Sequence, residues 1–352
     1  MKVIVRLLLL SCLMLVLVLG CHRQASDISS SHLTPRGDCQ TVQHLGGETQ
    51  ICGQPKRIVV LNPKMLDIVL LLGVQPIGYA EIFSNRRGDF DRPQEQIPYL
   101  GDRITHPIAN LGMSSKPSLE TIIKLKPDLI LGDIRGNQQQ YSQLSQIAPT
   151  LLFDYVGGNK WQDSLQAIAQ VLGRSNQAKK IIAAHRQQIT KTRQALAPVV
   201  KTYPKVLMVS SEQLNSSINL VTPLDFCGGL LEDIGFKLAK VSNSTPTNIT
   251  QPISVEILPQ LNADLIIVQG HNIVELSNIK NTTSFTKTQL QSVQKSWQTN
   301  TLAQSLRASR NNRVYFIPTY ICLGLPSPSG TQITLQSLQE QLLPLAKIAS
   351  QN

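Results

Sequence analysis

The sequence predicts an α/β protein: two lobes with central parallel sheets, joined by one long helical segment. Three observations lead there. Short continuous apolar runs such as RIVVL (57–61) alternate with helix-patterned stretches, as strands buried on both faces do. A unit of fifteen residues occurs twice, as SLETIIKLKPDLILG from Ser118 and SVEILPQLNADLIIV from Ser254, an offset of 136 residues. Between the copies, residues 161–198 carry helical patterns with no strand among them.

The elements follow in order. After RIVVL comes NPKMLDIVLLLG, where Asn62 suits a helix cap, Pro63 the first turn and Gly73 the stop. QPIGYA (75–80) is the next strand, so residues 57–80 read as strand–helix–strand. Residues 81–116 are irregular and polar, and a long loop in an ordered domain is usually functional. In the first copy of the repeat, Ser118 caps a helix, Pro127 ends it, and DLILG is a buried strand. YSQLSQIAPTLLFD adds a helix and a strand. Strand chemistry resumes after the linker with KVLMVSS, CGGLLEDIGFKLA, the second copy and NRVYFIPTYICLG, and TQITLQSLQEQLLPLAKI closes the chain as a helix. The expected organisation is a leader (1–20), a tether with a hairpin (21–55), an N-terminal lobe (56–160), the linker helix (161–200) and a C-terminal lobe (201–352).

MKVIVR followed by LLLLSCLMLVLVLG fits a secretory signal. It ends in VLGC, which resembles a bacterial lipobox, so lipidation of Cys21 and anchoring to the outer face of the cytoplasmic membrane are expected. Four of the six cysteines then remain for an oxidising compartment. Cys39 and Cys52 bracket a hairpin-like stretch, and Cys227 and Cys322 would pair over a long loop. The formal charge is +11, without a block of five like charges, which excludes a basic nucleic-acid tail and favours an anionic surface or small ligand.

With these residues in place the chain resembles a known family. RIVVL, LDIVLLLGVQPIGYA, PSLETIIKLKPDLILGD, LSQIAPTLLFD, GGLLEDIGF, SVEILPQLNADLIIV and NRVYFIP are similar, in order, to the helical-backbone substrate-binding proteins of ABC importers. The resemblance is nearest to those for ferric siderophores, related to the ferric-dicitrate, hydroxamate and cobalamin binders. Cys39, Cys52 and CLGLPSPSGTQ are similar to cyanobacterial members. The resemblance implies two Rossmann-like lobes and a monomer that is not an enzyme. It implies an anionic iron chelate of citrate or hydroxamate type between the lobes, and a membrane permease dimer with its ATPase as partner. It also implies that Glu120 and Glu256, at the same place in the two copies, dock on that permease. A glutamate in a first helical turn also complements the helix dipole by about 0.3–1 kcal/mol without any partner.

Guanidinium and ammonium groups suit carboxylate-rich chelates. The expected ligand residues are Arg86, Arg87, Arg103, Lys116, Ser114 and Lys64, with Tyr320 from the C-terminal lobe; Arg92 and Arg135 lie nearby. Relatives commonly carry a Trp and an Arg-Gly-Pro where this chain has TYICLGLPSPSG, and often an Arg at the position of Ser114. No histidine cluster has ligand spacing, so no metal site and no cofactor are expected beyond iron within the chelate. Haem remains an alternative cargo through Met113, His106, His271 or a tyrosine, as does cobalamin. A two-lobed α/β enzyme is the rival class, against which stands the lack of GxSxG, HExxH and a Gly-rich dinucleotide loop; without GxxxxGK[ST], ATP hydrolysis is expected elsewhere than on this chain.

Overall fold

The computed structural model describes residues 39–82, 88–154, 160–215, 218–241, 245–270, 272 and 281–349. The leader, Cys21, Arg86, Arg87 and His271 lie outside them. Gln40–Asn352 is one compact unit. It holds two six-stranded sheets, as the alternating apolar runs require.

The first sheet contains β3 (Ile58–Val60), β4 (Gly78–Glu81), β5 (Ala109–Met113), β6 (Lys116–Pro117), β7 (Leu129–Asp133) and β8 (Thr150–Phe153). Its order is β6-β5-β4-β3-β7-β8. Only the short β6 runs antiparallel. Helix α1 (Pro63–Leu71) follows β3, and the Asn62 side chain caps it by accepting from the Met65 amide at 2.9 Å. The described part of residues 81–116 holds more regular structure than expected. They contain β5, a turn of helix at Pro93–Gln96 and a 3-10 turn at Gly101–Arg103. The strand ANLGM escaped the apolar-run criterion because it is only partly buried.

The second sheet contains β9 (Lys205–Ser211), β10 (Ile218–Val221), β11 (Lys237–Leu238), β12 (Thr250–Ile253), β13 (Leu265–Gly270) and β14 (Val314–Pro318). The order is β12-β10-β9-β13-β14, with β11 also beside β9. Strand β10 is antiparallel to both neighbours. Residues 227–239 correct the strand expectation: they form mainly a helix, Phe226–Asp233, followed by β11. The Asp225 carboxylate accepts from the amides of Cys227 and Gly228 at 2.9 and 3.0 Å and starts that helix. A Cβ on Gly228 would stand 2.2 Å from the Thr222 carbonyl oxygen, so only glycine seats it there.

The repeated unit occupies equivalent places in the two sheets. Asp128 pins the start of β3: its carboxylate accepts from the Lys56 and Arg57 amides, both at 2.8 Å, and its own amide donates to the Arg57 carbonyl at 3.0 Å. Asp264 does the same for β9, accepting from the Lys205 amide at 3.0 Å and donating to the Lys205 carbonyl at 2.8 Å. Each preceding helix ends on a left-handed residue, Lys126 (φ 46°) or Asn262 (φ 41°). The first is an α-helix, Leu119–Leu125, and the second a 3-10 helix, Val255–Leu261. Pro259 inside the second lacks the amide that an α-helical turn needs.

Two helices link the lobes, Lys160–Val171 and the 28-residue Ser175–Thr202, the latter roughly 42 Å long at 1.5 Å per residue. The last helix, Pro328–Ala349, lies along the longer one, with Gln339 Nε2 donating to Thr192 Oγ1 at 3.2 Å. Among the described residues no helix is long and apolar enough to cross a membrane.

The hairpin of β1 (Cys39–His44) and β2 (Gly47–Cys52) covers the open edge of β8. Cys39 and Cys52 are both in disulfide form. The Leu45 amide donates to the Leu152 carbonyl at 2.9 Å. His44 Nδ1 accepts from the amides of Gly46 at 3.1 Å and Leu152 at 3.2 Å, which an imidazolium cannot do. Burial holds the His44 pKa below its ordinary value, so its contribution is present above about pH 6.5 and is lost as pH falls. Hydrogen exchange at the Leu152 amide, corrected for intrinsic rate, should therefore lose protection progressively through the range below about pH 6.5. Constant protection across that range would show that the imidazole does not hold the hairpin.

Candidate functional site

The carboxyl ends of the two sheets face each other. Glu81, at the end of β4, accepts the Tyr320 hydroxyl at 3.1 and 3.2 Å, and Tyr320 follows the end of β14. Tyr79 donates to the same carboxylate at 2.6 Å. Burial, then the negative charge of Glu81, pushes the Tyr79 pKa well above its ordinary value. Tyr99 stacks on Tyr320 with centroids 5.9 Å apart, and its hydroxyl lies 2.7 Å from Thr286 Oγ1 across the lobes. Burial takes its pKa up to about 12.

A second polar junction lies beside the first. The Asp67 side chain has no solvent exposure. It accepts from Arg103 Nη1 and Ser329 Oγ, both at 2.6 Å, and from the Ser329 amide at 3.2 Å. Ser329 is in the first turn of the last helix, where a carboxylate also meets the positive end of the helix dipole.

Polar side chains tie the first sheet's strand ends together. Asn62 Nδ2 donates to Asp133 at 3.4 Å, the Asp133 amide donates to Asn137 Oδ1 at 3.1 Å, and Asn137 Nδ2 donates to the Ser114 carbonyl at 2.8 Å. The Ser114 amide donates to the Glu81 carbonyl at 2.8 Å. Burial raises the Asp133 pKa, against the backbone amides of Gly136 and Arg135 and the charge of Lys64. At the second sheet's ends, Asp225 also accepts from Gln269 Nε2 at 3.2 Å, and Gln289 Oε1 accepts the Tyr320 amide at 3.0 Å. Cys227 and Cys322 form a disulfide that ties the helix after Asp225 to the π-helical turn Tyr320–Gly324.

These contacts sort the residues expected to hold a ligand. Lys64 is buried, with its ammonium donating to the Asp154 carbonyl. Arg103 is engaged by Asp67 and Ser329. Tyr320 is buried with its hydroxyl on Glu81. Arg135 is exposed and pairs with Asp154 at 3.4 Å. Ser114 is buried and Lys116 exposed at the end of the same sheet. Among the described residues, the structure does not bring Lys64, Arg103 and Tyr320 to one solvent-facing surface. Sequence reasoning missed Asp67, Tyr79, Glu81 and Tyr99. A lone carboxylate inside the apolar run KMLDIVLLL was the available signal for Asp67, because a buried charge demands a partner.

Glu120 and Glu256 sit in the first turns of the equivalent helices. Ser118 and Ser254 cap those helices through the amides of Thr121 and Glu256 at 3.2 and 3.3 Å. Both glutamates are exposed. Glu120 pairs with Lys124 at 2.6 Å, and that hydrogen bond, then the lysine's charge, lowers its pKa.

The periplasmic binding protein family matches residues 58–321. The chain belongs to this family. Its members serve transport by binding, and the role is non-catalytic. The Fe(3+)-citrate-binding protein YfmC of Bacillus subtilis is 29% identical over 318 residues, covering 89% of this chain and 87% of that protein. The Fe(3+) dicitrate-binding periplasmic protein FecB of Escherichia coli is 26% identical, over 78% of this chain and 80% of its own. Among solved structures, Staphylococcus aureus SirA complexed with staphyloferrin B superposes with a TM-score of 0.68 at 25% identity, covering 86% of this chain and 98% of SirA.

Replacing Asp67 with alanine removes the anion from Arg103 and both acceptors from Ser329. The expected loss is about 1–3 kcal/mol, the cost of leaving the Ser329 donors without an acceptor while the partly exposed Arg103 turns to water, read from the urea unfolding midpoint. A loss below about 1 kcal/mol would mean the lobes do not depend on this junction.

Proposed function

We propose that this chain captures a ferric siderophore-type chelate between its two lobes and delivers it to the permease of an ABC importer. The observation that carries the reading is the structural equivalence of the two repeat copies. Asp128 and Asp264 play one role in two sheets, and Glu120 and Glu256 stand at matching exposed turns. A two-lobed carrier with one carboxylate per lobe suits a dimeric partner, each charge facing one half. The similarity to proteins named for ferric citrate and staphyloferrin B supports an iron chelate as cargo. Haem and cobalamin have no comparable support among the relatives named here.

In this reading Arg86, Arg87 and Lys116 supply positive charge to the chelate, and Ser114 shapes the wall beside Lys116. Lys64, Arg103 and Tyr320 act from behind, by holding the strand ends and the lobe contact. Cys21 carries the lipid that keeps the carrier at the membrane, on the periplasmic side. A relative named "Probable siderophore-binding lipoprotein YfiY" of Bacillus subtilis, 30% identical over 72% of this chain, supports that anchor.

Titration of ferric citrate and ferric siderophores into the chain should give saturable binding and a raised melting temperature. At about 100 times the dissociation constant the gain is about 2.7 kcal/mol. Iron-free chelators, haem and cobalamin should give none. Binding of haem or cobalamin alone would keep the importer and overturn the cargo. Glu120→Arg with Glu256→Arg should leave ferric-chelate affinity unchanged and reduce import by about tenfold or more, for a loss of about 1.4 kcal/mol at the docking step. Unchanged import would remove both residues from docking.

A further inference from the structure

We propose that Asp225, Cys227 and Cys322 form a site for a thiophilic divalent cation such as zinc once the Cys227–Cys322 bridge is reduced. The ligand atoms of these three residues lie within 4.8 Å of one another. All three residues are 1% exposed. The three residues are buried at the carboxyl end of the second sheet, next to the turn that carries Tyr320, and the proposal does not rest on the cargo reading.

The carboxylate points to the cation. Three donors engage Asp225 Oδ1, from Cys227, Gly228 and Gln269. Oδ2 is buried and has no partner. A buried carboxylate oxygen without a donor is costly, and a cation is one way to satisfy it. In the disulfide form the sulfurs are 2.02 Å apart and bonded to each other, so neither is a thiolate ligand. Tetrahedral zinc with bonds of about 2.3 Å to sulfur needs a sulfur separation of about 3.8 Å. The Cα atoms stand 5.3 Å apart, which leaves the side chains room to open by that amount. Cys227 occupies the first turn of the helix Phe226–Asp233, where the dipole favours a thiolate. Gln269, whose amide nitrogen already bonds Asp225, also carries a buried oxygen without a partner. Two sulfurs and a carboxylate select zinc-like ions over magnesium or calcium.

The chemistry balances with a phosphine as reductant. The phosphine and one water convert the S–S bond to two thiols, and the phosphine leaves as its oxide. A divalent cation then binds both sulfurs and releases two protons. Hydrogen peroxide re-forms the disulfide: it takes the two electrons and two protons, leaves as two waters, and the cation is expelled.

The test uses the full-length chain with Cys12, Cys21, Cys39 and Cys52 replaced by serine, so that only the one pair remains. Cobalt(II) serves as the spectroscopic probe. After phosphine treatment, one cobalt per chain should bind with a thiolate-to-metal charge-transfer band, and zinc should displace it. The oxidised chain should show no band. Cys322→Ser should abolish it, and Asp225→Asn should weaken binding by at least about tenfold, or 1.4 kcal/mol. If reduction unfolds the chain, restoration of its circular dichroism by zinc supports the site, and failure to restore it overturns the proposal. A band of equal strength in the oxidised form, no band in a folded reduced form, or no effect of Asp225→Asn would also overturn it.

Discussion

A carboxylate shut away from water must be given its counter-charge inside the protein. Asp67 is such a group, and its junction joins three separate parts of the chain. Its own helix follows the first strand of the N-terminal lobe, Arg103 comes from the long loop, and Ser329 opens the last helix of the other lobe. The neighbouring contact of Tyr320 with Glu81 is built the same way, with an acceptor from one lobe and a donor from the other. The 28-residue helix and the helix packed along it add stiffness over a longer span.

These constraints shape what a carrier of this family can do. If the ligand sits between the lobes as proposed, lobes tied by polar pairs and a long helix resist closing like hinged jaws and offer it a preformed surface. The basic groups that a sequence count would give to the ligand are partly spent on architecture. Lys64 and Arg103 hold strand ends and lobes, while Lys116 stays exposed. The disulfide and the Asp225 cap fix the turn that presents Tyr320 to Glu81, so the second lobe's contribution to the contact is set from within its own core.

Much of the fold was legible in the sequence for physical reasons. Buried parallel strands read as apolar runs, and β3, β7 and β9 were found that way. The repeat located equivalent units because Asp128 and Asp264 each bind the amides at the start of a central strand. That role was not visible in the pattern itself. Strand β5 was missed because a half-buried strand lacks an apolar run, and residues 227–239 were misread because a short glycine-bearing helix packed on a sheet is as apolar as a strand. Site residues were less legible. Composition marks a cation as available, but only tertiary contacts show that Asp67 has already claimed Arg103 and that Glu81 has claimed Tyr320.

If the polar junctions fix the lobes, a chelate bound between them moves them little relative to one another. The most direct measurement is the distance between spin labels at the exposed positions Ile123 and Gln251, one on each lobe, by pulsed electron resonance with and without saturating ferric chelate. The account predicts a single distance population that shifts by less than about 2 Å on binding. A broad distribution in the free protein that collapses on binding, or a shift well beyond that, would contradict it.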